Sequence, residues 1–258
     1  MKTTLYYFTG TGNSLAVTRD LATELLGNVE IIPITSLAHE RSIYIDQNVA
    51  GIIYPAWLHH IPPVVEEFIA KLIINDSYIF AICTCAINPY NSLFNLNTAL
   101  EQKGSHLAAG FVIPMGGKYV LLKDITFSDE ENEKRFTAEK KKIKEIANII
   151  KAKQYVGIEG SFDKNETGQL IYYHRNIYKV HEKFRATEAC TLCGQCVKIC
   201  PKHNIEIVNT KVRWNDTCDY CLACLHWCPK AAIENGELSP TCKRYHHPSI
   251  SIADLLQR

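Results

Sequence analysis

Eight of the cysteines fall into two copies of one spacing, Cys190-x-x-Cys193-x-x-Cys196-x-x-x-Cys200-Pro201 and Cys218-x-x-Cys221-x-x-Cys224-x-x-x-Cys228-Pro229. Three thiolates on one tight loop can wrap a corner of an iron–sulfur cube, while the wider gap and the proline send the fourth to a second cube. This spacing gives Cys190, Cys193, Cys196 and Cys228 to one [4Fe–4S] cluster and Cys200, Cys218, Cys221 and Cys224 to the other. A zinc site would want two separated Cys-x-x-Cys pairs closing one tetrahedron, with no third regularly spaced cysteine and no trailing Cys-Pro. A disulfide framework belongs to small secreted chains. The duplication also runs beyond the ligands, since Pro201-Lys-His-Asn-Ile205-Glu206 matches Pro229-Lys-Ala-Ala-Ile233-Glu234.

A second chemistry-bearing stretch lies near the start. Thr9-Gly10-Thr11-Gly12-Asn13-Ser14 follows a short apolar run, Thr3–Phe8, and precedes helical spacing at Leu15, Leu21, Ala22 and Leu25. A strand, a Gly/Thr-rich turn and a helix start form an anion cradle, because backbone N–H groups and the helix N-terminus face the turn. The plainer alternative is a glycine turn that only caps a helix. No Gly-Lys-Ser/Thr ending marks a nucleotide P-loop, and G-x-G-x-x-G is missing too.

The elements that would hold these groups alternate. Val29–Ile34, Val49–Tyr54, Tyr78–Thr84 and His106–Ile113 read as further strands, nearly all apolar, as in a parallel sheet covered on both faces. Helices open at Pro62-Pro63, at Asn91 as a cap, and at the Ser128-Asp-Glu-Glu131 capping box. Strict βα alternation predicts a doubly wound α/β domain. Beyond Lys153 the pattern becomes irregular, then turns tyrosine-rich and helical through Ile171, Ile177, Tyr178, Val180 and Phe184. The expected organisation is residues 1–160, a connecting helix at 161–186, the cysteine-rich unit at 187–236, and a tail at 237–258 that packs back.

With 258 residues, 47% hydrophobic and 21% charged, the composition is that of an ordinary globular protein. A formal net charge of +1 argues against a nucleic-acid binder. No apolar run approaches the ~20 residues that cross a bilayer, and the first residues lack a secretory layout. Eleven cysteines, eight of them committed to clusters, point to a reducing compartment, the cytoplasm.

Phe8-Thr9-Gly10-Thr11-Gly12-Asn13-Ser14 directly after a first strand resembles the phosphate loop of flavodoxins, and the cysteine pattern resembles that of two-cluster bacterial ferredoxins. Together they resemble the flavodoxin–ferredoxin fusion proteins of anaerobic bacteria, the EFR-type ferredoxin family, over nearly the whole chain, including the closing Arg244-Tyr245-His246-His247-Pro248. The resemblance implies a flavodoxin-like sheet of order 2-1-3-4-5 with a smaller C-terminal 2[4Fe–4S] ferredoxin domain, and FMN at the switch point. It implies phosphate contacts from Thr9, Gly10, Thr11, Gly12, Asn13 and Ser14. Pro55, Ala56, Trp57, Leu58 and His59 would line the ring, Trp57 either stacking on it or serving as core. Thr84, Cys85, Ala86, Asn88 and Tyr90 would close the other side. Related loops often carry glycine where His60 and Ala86-Ile87 stand in this chain. His59 and His60 are either proton donors or structural residues, and Met115–Tyr119 either covers the flavin or meets the ferredoxin part. Cys83, Cys85 and Cys242 lie outside the cluster pattern and read as packing, with Cys85 at the flavin edge.

The function expected is electron transfer between FMN, two [4Fe–4S] clusters and an external redox partner, protein or small molecule. The alternatives are a flavin-dependent reductase of one small metabolite and a structural or oxygen-sensing module. No Ser/His/Asp order or metallohydrolase motif is present.

Overall fold

Consecutive residues at the start of the chain enter opposite cores, Leu5 and Tyr7 one of them, Tyr6 and Phe8 the other. A strand buried on both faces belongs in the middle of a covered parallel sheet. The computed structural model describes residues 2–46, 48–57, 60–119, 125–163, 179–237 and 239–256. Its first part runs β1 (Thr3–Tyr7), α1 (Asn13–Leu25), β2 (Val29–Pro33), β3 (Ile43–Ile45), β4 (Val49–Pro55), α2 (Pro63–Ala70), β5 (Leu72–Ile74), β6 (Tyr78–Cys85), α3 (Ser92–Glu101), β7 (Ala109–Pro114), β8 (Lys118–Tyr119), β9 (Ile125–Thr126), α4 (Asp129–Lys151) and β10 (Gly157–Ile158).

The central sheet is parallel throughout, in the order β10-β7-β6-β4-β1-β2. Numbered along the chain within this sheet, the order is 2-1-3-4-5 with a sixth, two-residue strand added at the edge. That is the flavodoxin-like arrangement, and its crevice opens where neighbouring β1 and β4 lead to opposite faces. Leu15 and Leu21 of α1 and Ile143 and Ile146 of α4 fill one core, while Val65 and Phe68 of α2 and Leu93 and Leu96 of α3 fill the other.

Ser128 forms its capping box, its hydroxyl accepting from Glu131 N at 3.2 Å while the Glu131 carboxylate accepts from Ser128 N at 2.8 Å. Asn91, expected to cap α3, makes no side-chain cap at that helix end. Its amide instead grips the backbone of Asp163 at 2.7 and 2.9 Å. The sixth strand, β10, falls in the stretch read as irregular; two residues are too few to leave an alternation signal. Most of the expected connecting helix, residues 164–178, lies outside the described residues. The segment after it is not the expected helix but a 3-10 turn, Val180–Lys183, and then strand β11 (Phe184–Ala186), because Phe184–Ala186 finds an antiparallel partner in Ile233–Asn235.

The cysteine-rich part contains α5 (Gln195–Ile199), β12 (Ile205–Val208), β13 (Lys211–Trp214), α6 (Ala223–His226) and β14 (Ile233–Asn235), and α7 (Ile252–Leu256) closes the described chain. Its duplication is visible in the backbone at an offset of 28 residues (190 to 218). Left-handed residues recur as Leu192 (φ 55°) and Tyr220 (φ 53°), Gly194 (φ 74°) and Leu222 (φ 59°), and His203 (φ 49°) and Ala231 (φ 47°). The core under α1 and α4 continues without a break into this part through Ile199, Ile205, Leu225, Trp227 and Ile233. No described helix is long and apolar enough to cross a membrane.

Between α1 and α4 one carboxyl is out of place. Glu139 is 4% exposed, and its Oε1 has no hydrogen-bond partner among the described residues. Burial first, and the Asp20 carboxylate second, push it up to about 8. A carboxyl raised by folding holds a proton that the unfolded chain has released, so its stability contribution is full in acid and fades as pH rises to about 8. Glu139→Gln is expected to gain about 1–3 kcal/mol over the native chain near pH 9 and to lose that advantage near pH 5. Denaturant titrations at both pH values check this, and identical pH dependence in the two proteins would contradict it.

Candidate functional site

A cleft opens at the C-terminal ends of β1, β4, β6 and β7. After β1 it is lined by Phe8, Thr9, Gly10, Thr11, Asn13 and Ser14; after β4 by Pro55, Ala56 and Trp57; at the end of β6 by Thr84, Cys85 and Ala86; and after β7 by Gly116 and Gly117. The remaining wall is Cys221, Leu222 and His226, from the cysteine-rich part.

The loop after β1 is shaped to receive an anion. Gly12 precedes α1 at φ 97°, a conformation that disfavours any residue with a Cβ. No side chain caps the first turn of α1 and no acidic residue lies in it, so the helix N-terminus keeps its donors and its positive end toward the cleft. Thr9 Oγ1 accepts from Gly12 N at 3.0 Å, and Ser14 Oγ and Thr84 Oγ1 are 2.9 Å apart, which ties the loop to β6. A phosphate fits this set of donors.

Gly10 sits directly against the cysteine-rich part: a Cβ on it would collide with the carbonyl oxygen of Cys221. Its own carbonyl accepts from Trp227 Nε1 at 2.9 Å. The loop over the cleft is fixed from α4, where Arg135 donates to Ala86 O at 2.7 Å and Met115 O at 3.3 Å and lies 3.9 Å over the Phe127 ring.

Of the expected flavin contacts, Thr9, Gly10, Thr11, Asn13, Ser14, Pro55, Ala56, Trp57, Thr84, Cys85 and Ala86 line the cleft. Gly12 does not; it turns the backbone, packed against Ile250 and His247. Asn88 and Tyr90 also stand away from it, because Asn88 Oδ1 accepts from Tyr90 N at 2.7 Å in a local turn that leaves Tyr90 outside at φ 50°. Leu58 and His59 lie outside the described residues. His60 is off the cleft wall, exchanging both backbone hydrogen bonds with Trp57 at 2.9 and 2.7 Å. Phe8, Cys221, Leu222 and His226 were not read from the sequence as lining residues. Phe8 could have been, as the last residue before the loop, but nothing local marks the other three. Burial pushes Cys85 up to about 11, against the pull of Arg135 and Lys142, so it is a neutral thiol at physiological pH.

Two further cavities hold the cysteines in sets of four. One is lined by Cys190, Cys193, Cys196 and Cys228 with Ile207, Val212 and Ile233. The other is lined by Cys200, Cys218, Cys221 and Cys224 with Phe184, Ile205, Trp214 and Leu222. Each set takes its fourth thiol from the other copy of the motif. Among the described residues no three or more His, Cys, Asp or Glu close on a single metal ion, and each set of four thiols lines one cavity. Backbone N–H groups donate to sulfur at equivalent places, Asn204 N to Cys200 and Ala232 N to Cys228, both at 3.3 Å, and Tyr220 N donates to Cys218 at 3.3 Å. Such bonds stabilise negative charge on sulfur and tune a cluster's potential. Burial pushes Cys196 up to about 11 and raises Cys221 and Cys224 further, so iron must displace protons to bind.

Residues 182–236 match the family model described as a 4Fe-4S dicluster domain. No curated protein matches the chain. Among solved structures, the chain is similar to a flavodoxin of Streptococcus pneumonia TIGR4, at 14% identity and a TM-score of 0.42 over 59% of this chain and 99% of that one. It is similar to Megasphaera elsdenii flavodoxin at 15% identity and a TM-score of 0.35, over 43% and 84% of the two chains. An FMN-dependent NADH-azoreductase of Bacillus anthracis, in complex with FMN, gives 11% identity and a TM-score of 0.40 over 58% and 100%. The fold assignment rests on this chain's own sheet order.

Gly10→Ala tests the contact between the loop and the cysteine-rich part. Backbone cannot yield as a side-chain end can, so a stability loss of about 2–3 kcal/mol is expected in denaturant unfolding. An unchanged midpoint would mean that the two parts are not in register.

Proposed function

We propose that this chain is an electron-transfer flavo-iron–sulfur protein, carrying FMN and two [4Fe–4S] clusters and exchanging electrons with an external redox partner. Cys221 carries the reading: it lines both the cleft built on the phosphate loop and the second cysteine cavity. When bound, the flavin exchanges electrons singly or in pairs and each cluster exchanges them one at a time. Every other contribution belongs to the chain's own side chains and backbone.

Thr9, Gly10, Thr11, Asn13 and Ser14 hold the phosphate, with Gly12 turning the loop beneath it. Pro55, Ala56 and Trp57 face the ring from one strand end, and Thr84, Cys85 and Ala86 from the next. Cys190, Cys193, Cys196 and Cys228 hold the first cluster, and Cys200, Cys218, Cys221 and Cys224 the second. Leu222, buried beside Cys221, keeps water from the short gap between cleft and second cavity. The two cavities differ in exposure: Cys193 is exposed whereas Cys224 is buried. The first cluster is therefore the port for the external partner, and the second the link to the flavin. Residues 1–160 act as the flavin unit and 187–236 as the cluster unit, in a reducing cytoplasm.

Anaerobic purification tests this. About eight iron and eight acid-labile sulfide per chain are expected, with one extractable FMN. Cys193→Ser is expected to lower iron to about half while FMN stays bound. A folded but colourless and iron-free protein would overturn the proposal, and unchanged iron in Cys193→Ser would overturn the ligand assignment.

A further inference from the structure

The closing Arg244-Tyr245-His246-His247 segment lines neither the cleft nor the two cysteine cavities, yet its residues bond or stack on groups around them. Arg244 donates to Ala231 O and Ile233 O behind the first cysteine cavity, at 3.3 and 2.6 Å. His246 stacks on Trp227, ring centroids 4.4 Å apart at 15°, and that indole donates to Gly10 O. His247 N donates to Thr11 O at 2.9 Å.

Tyr245 makes the most specific contacts. Its hydroxyl donates to Asn13 Oδ1 at 2.8 Å, and the same amide donates through Nδ2 to Gly116 O at 2.6 Å. The Gly116 carbonyl, which can only accept, fixes which way the Asn13 amide points, and the Tyr245 hydroxyl holds the Oδ1 end in place, so that Asn13 joins the loop after β1 to the loop after β7 across the cleft. On the other side, Tyr245 N donates to His226 Nδ1 at 3.2 Å. His226 lines the cleft and is 2% exposed, and this bond ties its ring to the tail. One tail residue therefore bonds a polar group on each wall, one from the flavodoxin-like part and one from the cysteine-rich part.

We propose that Tyr245 is a positioning residue of the flavin site, setting FMN affinity by holding Asn13 in its place across the cleft. This rests on the proposed flavin role of the cleft and adds a residue far outside the flavodoxin-like part. The hydroxyl is the group at issue, since a phenylalanine keeps both the ring and the backbone donor to His226.

The test is FMN binding to the iron-loaded protein, followed by quenching of FMN fluorescence, with iron and sulfide measured alongside. Tyr245→Phe is expected to weaken FMN binding about five- to tenfold, the worth of one part-buried hydrogen bond, with cluster content unchanged. In an Asn13→Ala background the same substitution should cost less than about twofold, because the tyrosine acts through that amide. An unaltered dissociation constant in Tyr245→Phe would overturn the proposal. So would additive losses in the double variant, or loss of iron together with FMN, which would make the tyrosine a general scaffold residue. If the native chain itself binds no FMN, it is the flavin reading that fails.

Discussion

The constraint on which the rest depends is the contact between Gly10 and the carbonyl of Cys221. It brings a phosphate-type loop and an iron–sulfur loop to van der Waals distance with backbone on both sides. Backbone against backbone leaves no long side chain to absorb a misfit, so the two loops must sit in one register. Trp227 sets that register from the other direction, donating to Gly10 O from the helix end that also supplies His226. The continuous core beneath α1 and α4 then makes the two parts one packed body rather than tethered beads. On the proposed reading, two redox sites held this way would exchange electrons without a diffusional encounter.

The same closeness has an electrostatic side. Buried thiols have no stable charged form of their own in these cavities, and burial holds Cys196, Cys221 and Cys224 protonated. On the proposed reading, bound iron would make these cavities favourable for sulfur anions, helped by backbone donors such as Asn204 N and Ala232 N that point at the sulfurs. The left-handed residues at Leu192, Gly194, Tyr220 and Leu222 belong to the same design, since alternating backbone conformation turns successive N–H groups toward one concavity. Leu222 adopts a conformation that suits Gly194 in the sister motif better, a cost of about 1 kcal/mol that its packing offsets.

Much of this was legible in the amino-acid order, for reasons that can be named. The grouping of the cysteines was legible in their spacing, which implies two sets of four, and the two cavities gather those sets. The sheet was legible because a strand covered on both faces needs an unbroken apolar run, as at Val49–Tyr54 and Tyr78–Thr84. The cleft wall formed by Cys221, Leu222 and His226 was not legible, because a contact between residues so far apart in the chain leaves no local period. Asn88 and Tyr90 differ in the opposite way: Thr84, Cys85 and Ala86 before them line the cleft, but the Asn88 side chain closes a local turn and the two are not among the lining residues. Asn91 looked like a helix cap and instead bonds the chain beyond β10, a choice only tertiary structure makes.

The most direct test of the central claim is the kinetic order of electron exchange between flavin and clusters. After rapid anaerobic reduction of the loaded protein, flavin and cluster absorbance should relax together in a first-order step. Its rate should be the same across a wide range of protein concentration, as a transfer within one chain requires. A rate that rises in proportion to concentration would mean that electrons pass only between molecules, and would contradict a flavin and clusters wired together in one packed body.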